Sequence, residues 1–178
     1  TDPSISSDGR FVAFASAAGN LVSGDSNLTT DVFVRDRTLP STIRVSQASD
    51  GSQGLQWSGD PSISADGRHV AFASDASNLV GGDANGSMDV FVRDVLFATT
   101  ERVSVDSSGG EGAAASSNPS IAADGRNVAF ESVAPNLVIG DTNGLSDAFV
   151  RDHGVASAFE GFCPGDGTVA PCPCANSG

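Results

Sequence analysis

The chain repeats itself at a fixed offset of 58 residues, and no insertion breaks the register. Asp2-Pro3-Ser4-Ile5 returns as Asp60-Pro61-Ser62-Ile63 and again as Asn118-Pro119-Ser120-Ile121. The same offset links Asp8, Asp66 and Asp124, then Asn20, Asn78 and Asn136, then Arg35, Arg93 and Arg151. A sustained period of this size marks a stacked architecture, in which each unit contacts its neighbours and cannot bury its own apolar surface alone. Three units follow, over residues 2–59, 60–117 and 118–161, with residues 162–178 as a tail of different composition.

Each unit reads as four short strands. In the second unit "PSIS" is the first strand, and the Asp66-Gly67 pair supplies the positive φ of a hairpin turn. "HVAFAS" is the second strand. Its Val70 and Phe72 share one face, while Ala71 and Ala73 share the other. A bulky face backed by a small face suits a sheet packed on both sides against similar sheets. "DVFVRD" and "TERVSV" are the third and fourth strands, and the polar stretch "DSSGGEGAAASSN" leads to the next unit. Four antiparallel strands per repeat predict an all-β chain of tandem blades, of the β-propeller type.

The text "DPSISADGRHVAFAS…DVFVRD…ERVS" resembles the WD40-like PD40 repeat of TolB-type β-propellers over residues 2–153. The resemblance implies a propeller fold used chiefly as a binding platform. Two departures stand out. The loop between the second and third strands is longer than the family's usual linker. In the third unit the fourth strand degenerates, because Glu160 falls where Arg44 and Arg102 stand in the first two.

That longer loop carries the candidate site. It places Asp25, Asn27 and Asp31 at relative positions 1, 3 and 7; Asp83, Asn85 and Asp89 repeat them, as do Asp141, Asn143 and Asp147. Oxygen donors on alternate residues of a tight loop can converge on a hard cation, and Ca²⁺ collects about six to eight of them. Converging carboxylates repel unless a cation lies between them. The expectation is one calcium ion per unit. The alternative reading is an Asx-turn loop, in which Asp and Asn cap backbone N–H groups without metal. Asn20, Asn78 and Asn136 read as turn caps. The Arg-Asp pairs at the end of each third strand, and Arg10, Arg68 and Arg126 after each Asp-Gly turn, read as structural cross-links. His69 and His153 occupy unrelated places in their repeats, so neither a zinc nor a catalytic role is expected.

The formal net charge of -13 excludes nucleic acid as a natural partner, because phosphate binding needs a basic surface. No run of about 18 apolar residues is present, so no insertion into a membrane is expected. The tail "FCPGDGTVAPCPCANSG" holds all 3 cysteines, Cys163, Cys172 and Cys174. Clustered cysteines without a nearby His fit a disulfide better than zinc and point to an oxidising, extracellular compartment. The spacing of Cys172 and Cys174 disfavours a bridge between them, so Cys163 is expected to pair with Cys172 or Cys174, leaving one thiol free or paired outside the chain. The tail also resembles the start of a Cys-rich module of secreted planctomycete-type bacterial proteins.

What recurs in the repeat is scaffold, whereas catalysis normally needs unique residues. A sialidase-type propeller needs a Tyr nucleophile, and this chain has 0 Tyr. The sequence therefore predicts a non-enzymatic, calcium-stabilised extracellular or cell-surface scaffold for binding or assembly. Its partners would be other copies of itself or further blades of a longer chain, in a ring or a filament. The alternative is the non-catalytic propeller of a larger secreted hydrolase or glycan-binding protein.

Overall fold

The computed structural model describes residues 3–154. Asp2, Glu160 and the cysteines Cys163, Cys172 and Cys174 lie outside the described residues. The first repeat forms β1 (Ser4–Ile5), β2 (Phe11–Ser16), β3 (Asp31–Asp36) and β4 (Ser41–Arg44). The second forms β5 (Ser58–Ile63), β6 (His69–Ser74), β7 (Asp89–Asp94) and β8 (Thr99–Arg102), and the third contributes β9 (Ser116–Ile121), β10 (Asn127–Ser132) and β11 (Asp147–Asp152). Each repeat folds as its own antiparallel sheet with strands in chain order, four-stranded in the first two repeats and three-stranded over the described part of the third.

Local chemistry explains the turns. The Ser64 hydroxyl donates to Asp66 Oδ1 (2.6 Å), and the same oxygen accepts the Arg68 N–H at 3.0 Å. Between them Gly67 takes a φ of +77°, a conformation a side chain would strain. In the second and third repeats the first strands are longer than "PSIS" suggests, whereas β1 covers only Ser4–Ile5. β5 and β9 begin at Ser58 and Ser116, ahead of the repeat boundaries at 60 and 118. A register shift interrupts each strand between these early residues and Ile63 or Ile121. At the shift Asp60 and Asn118 adopt φ of 50° and 53°. Both are types that tolerate this region, and the following Pro61 and Pro119 have no N–H to leave unpaired. The polar linkers are also ordered, with isolated bridges Gln47↔Gln53 and Val105↔Glu111.

The sheets stack through the two-faced pattern. Val70, Phe72 and Phe91 of the second sheet pack on Ala13, Val32 and Val34 of the first. On its other face, Ala71, Val90 and Val92 receive Val128 and Phe130 of the third sheet. In each sheet the phenylalanines of the second and third strands face one another directly. The pairs Phe14–Phe33, Phe72–Phe91 and Phe130–Phe149 stack with centroids 5.8, 5.8 and 5.7 Å apart. Sandwiched on both sides, the second sheet buries every residue of β6 and β7. Among the described residues the first and third sheets each leave one face open.

Equivalent residues therefore carry unequal weight. Phe72 is fully buried, whereas Phe14, its first-repeat counterpart, is half-buried on an open face. Phe72→Ala is expected to cost about 3–5 kcal/mol, and Phe14→Ala clearly less. Denaturant midpoints of the two variants check this, and equal losses would contradict the stacking order.

Candidate functional site

The three Asp/Asn loops fold alike. Asn27 Oδ1 accepts the Thr29 N–H (3.1 Å), while its Nδ2 donates to Asp31 Oδ2 (2.9 Å) and to the Gly54 carbonyl (2.8 Å). Asn85 repeats this with Ser87, Asp89 and Gly112 at 2.6, 3.2 and 2.8 Å. Asn143 accepts from Leu145 N–H at 2.7 Å and donates to Asp147 at 3.0 Å. These are Asx turns, formed by atoms of the chain itself. The amide NH₂ of each Asn points at the carboxylate that closes its loop, and in the first two loops a backbone carbonyl fixes that orientation. The second oxygen of Asp31 accepts from the Ser46 hydroxyl, and that of Asp89 from Ser104, both at 2.6 Å.

An arginine supplies positive charge to two of the loops. Arg102 Nη1 lies 3.7 Å from Asp83, 3.2 Å from Asp89 and 2.5 Å from Glu111. Glu111 also accepts the Ala84 N–H. In the first repeat Arg44 lies 3.6 Å from Asp25 and donates to Gln53, the counterpart of Glu111, at 2.6 Å. Arg102 and Arg44 thus offset part of the repulsion that argued for a metal in these two loops. Sequence reading missed Gln53 and Glu111 because they sit in the polar linker; their shared 58-residue register was the available signal. Asp83, Asp89 and Glu111 still present carboxylate oxygens within 4.8 Å of one another. Burial, then the neighbouring Asp89, pushes the Asp83 carboxyl up to about 6 against the pull of Arg102. Burial also raises Asp31 and Asp89, opposed first by their serine hydroxyls.

Other predicted residues cross between sheets. Asn78 does not cap its own turn: it accepts the Leu55 N–H and donates to the Gln53 carbonyl of the preceding repeat, at 3.0 and 2.8 Å. Asn136 holds Ala113 and Glu111 the same way. Arg93 donates to the Ala48 carbonyl of the first repeat at 3.1 Å. The Asp beside it pairs elsewhere: Arg68–Asp94, Arg10–Asp36 and Arg126–Asp152 close at 2.7, 2.7 and 2.8 Å within their own sheets.

The two histidines, unrelated in the repeat, meet between the second and third sheets with ring centroids 5.7 Å apart. They line a cleft of about 340 Å³ with Arg68, Asp94, Phe97 and Glu101. His69 occupies the place of Phe11 and acts like it. Phe11 lies over the Gly67 turn of the next sheet, and His69 lies over Gly125. Among the described residues its two ring nitrogens have no hydrogen-bond partner, although Nε2 lies 3.5 Å from Asp94. Burial holds His69 below the ordinary histidine range. His153 is buried too, yet its bonds to Glu101 and the Gly125 carbonyl raise it.

Comparison of the fold gives TolB from Acinetobacter baumannii, with 18% identity and a TM-score of 0.51, over 88% of this chain and 30% of that one. A protein assigned as TolB from Agrobacterium tumefaciens matches with 18% identity and TM-score 0.51, over 86% and 46%. The tricorn protease matches with 15% identity and TM-score 0.50, over 84% and 13%. The sheets are β-propeller blades. The chain spans less than half the length of each of these proteins. No protein-family model matches the chain, and comparison with curated proteins gives no match. No helix of the described residues is long and apolar enough to cross a membrane.

The raised carboxyl at Asp83 has a defined sign. Its folded value of about 6 exceeds the unfolded value of about 3.9. The folded state therefore binds more protons between these values, and the group's contribution to stability falls as pH rises through that window. Asp83→Asn is expected to melt above the wild type at about pH 7, with the gap shrinking towards about pH 4. A gap that widens on acidification would contradict the assignment.

Proposed function

We propose that the chain is a non-enzymatic, extracellular scaffold that binds through its open blade faces. One observation carries the reading. Ile63 and Ile121, at closed interfaces, are 7% and 8% exposed, whereas their counterpart Ile5 on blade 1 is 57% exposed. At the other end Val150 of blade 3 is 72% exposed, against 2% for Val92. Each open face repeats a surface that elsewhere in the chain is an interface, and apolar sheet faces of this kind mark interaction sites. The occupants are further blades or other copies of the chain, closing a ring or extending a stack. The extracellular assignment rests on the sequence of the cysteine tail. The coverage of only 13% of the tricorn protease supports the companion reading, a propeller segment within a larger secreted hydrolase.

The purified chain is expected to associate, with a mass in solution above 17.8 kDa that rises with concentration. Light scattering measures it, and a compact monomer at all concentrations would remove the basis for the scaffold reading.

Calcium stabilisation is a second reading, favoured by the clustered carboxylates of Asp83, Asp89 and Glu111 and by Glu160 standing where the first two repeats place an arginine. The loop ligands are Asp25, Asn27 and Asp31 with their two repeats. Calcium at a hundredfold excess over its dissociation constant should then add about 2.7 kcal/mol per site. Melting with calcium and with EGTA tests this. An unchanged midpoint would leave arginine and the Asx turns as the whole account of the loops.

A further inference from the structure

The two open faces are not alike, and what distinguishes them bears on which partner fits; the argument rests on reading them as docking surfaces. In blades 1 and 2 the face turned to the next blade carries Ala13, Ala15 and Val32, or Ala71, Ala73 and Val90. At its edge a ring covers the next blade's glycine turn. A Cβ on Gly67 would come within 2.2 Å of the Phe11 ring, and one on Gly125 within 2.4 Å of the His69 ring. Blade 3 keeps Ala129 but departs at three of these places. Asn127 stands where the ring belongs, Ala148 replaces the valine, and Glu131 replaces Ala15 and Ala73. Ala73 is fully buried. Glu131 is exposed, with its carboxylate accepting from the Asn118 side chain at 3.0 Å.

We propose that Glu131, with Asn127, weakens the docking of blade 1 of a second copy on the outer face of blade 3, and fits that face better to a blade of different sequence that brings a basic side chain to Glu131. A second copy would present Ile5, Val12 and Phe14, which are apolar. Arg35 shares that face with Val12 and donates to Thr42 at 3.1 Å, and its counterparts Arg93 and Arg151 reach linker carbonyls of the preceding blade, at Ala48 and Asp106. Two further arginines of blade 1 are engaged within it. Arg10 makes a two-pronged pair with Asp36, and Arg37 donates to the Gly9 carbonyl at 2.7 Å. Docking would bury a carboxylate held by the neutral Asn118 amide and with no cation of blade 1 committed to it, which is costly. The rest of the docking equipment is retained. Ile63 N–H donates to Ser4 Oγ (3.1 Å), and Ile121 N–H to Ser62 Oγ (3.0 Å). Ser120 holds the same place on blade 3. The face is thus built to receive a blade and altered to hold this one weakly. Repeat arrays end in units with a polar outer face for the same physical reason.

The test uses a labelled full-length chain carrying Val12→Glu, which disables its own blade 1 face and offers only blade 3. Its binding to unlabelled wild-type chain is compared with that of the same protein carrying Asn127→Phe and Glu131→Ala in addition. The second should bind about tenfold to a hundredfold more tightly. Equal binding would overturn the stop while leaving the faces as docking surfaces. No binding by either would overturn both. Ala73→Glu puts the same charge into the closed interface between blades 2 and 3 and should lower the melting midpoint markedly; an unchanged midpoint would also overturn the proposal.

Discussion

The structure depends on one contact made repeatedly: the bulky face of a blade against the small face of the blade before it. Phe72 and Phe91 stack on each other within blade 2 and press on Ala13 and Val32 of blade 1. Phe130 of blade 3 presses on Ala71 and Val90 of blade 2. A face of large rings needs a partner with room for them, and alternation along a strand puts alanine and valine on the reverse side. The contact has a direction, so it adds blades at both ends and closes nothing by itself. This is why the apolar core of the described residues is two clusters, one for each pair of neighbouring blades.

Polar groups enforce the same direction. Ser7 N–H donates to the Ala65 carbonyl, and Ala65 N–H to Ala123, at 3.0 and 2.9 Å. Asn78 and Asn136 each hold the linker of the preceding blade, and Arg93 donates into the loop of blade 1. Each such bond pairs a backbone group between neighbouring blades, and where that group is buried, leaving it unpaired would cost more than the bond itself contributes. Apolar fit and backbone satisfaction therefore select the same register between blades.

Electrostatics set the character of the loops. Three carboxylates around Arg102 make an over-neutralised cluster, and burial leaves Asp83 with its proton affinity raised. Arg102 Nη1 meets all three carboxylates while Nη2 donates to the Gly82 carbonyl, so the planar guanidinium also ties the cluster to the loop backbone. The third loop keeps the Asx turn, because that turn needs only its own Asn and backbone. Loop shape is local and loop charge is not.

Much of this was legible in the sequence. The 58-residue register gave the repeat, the Asp-Gly turns gave the hairpins, and the alternation of Val70, Ala71, Phe72 and Ala73 gave a sheet buried on both faces. All of these are local patterns with a fixed physical reading. The bulges at Asp60 and Asn118 hid the true start of the first strands, because a shifted register breaks the period a reader follows. Tertiary structure alone brought Arg102 and Glu111 to Asp83, aimed Asn78 at another blade, and set His69 beside His153. Each of those contacts joins residues far apart in the chain or in different repeats, and their meeting depends on how one sheet leans on the next. A periodic sequence states what each blade is; only the packed fold decides which side chains share the space between blades.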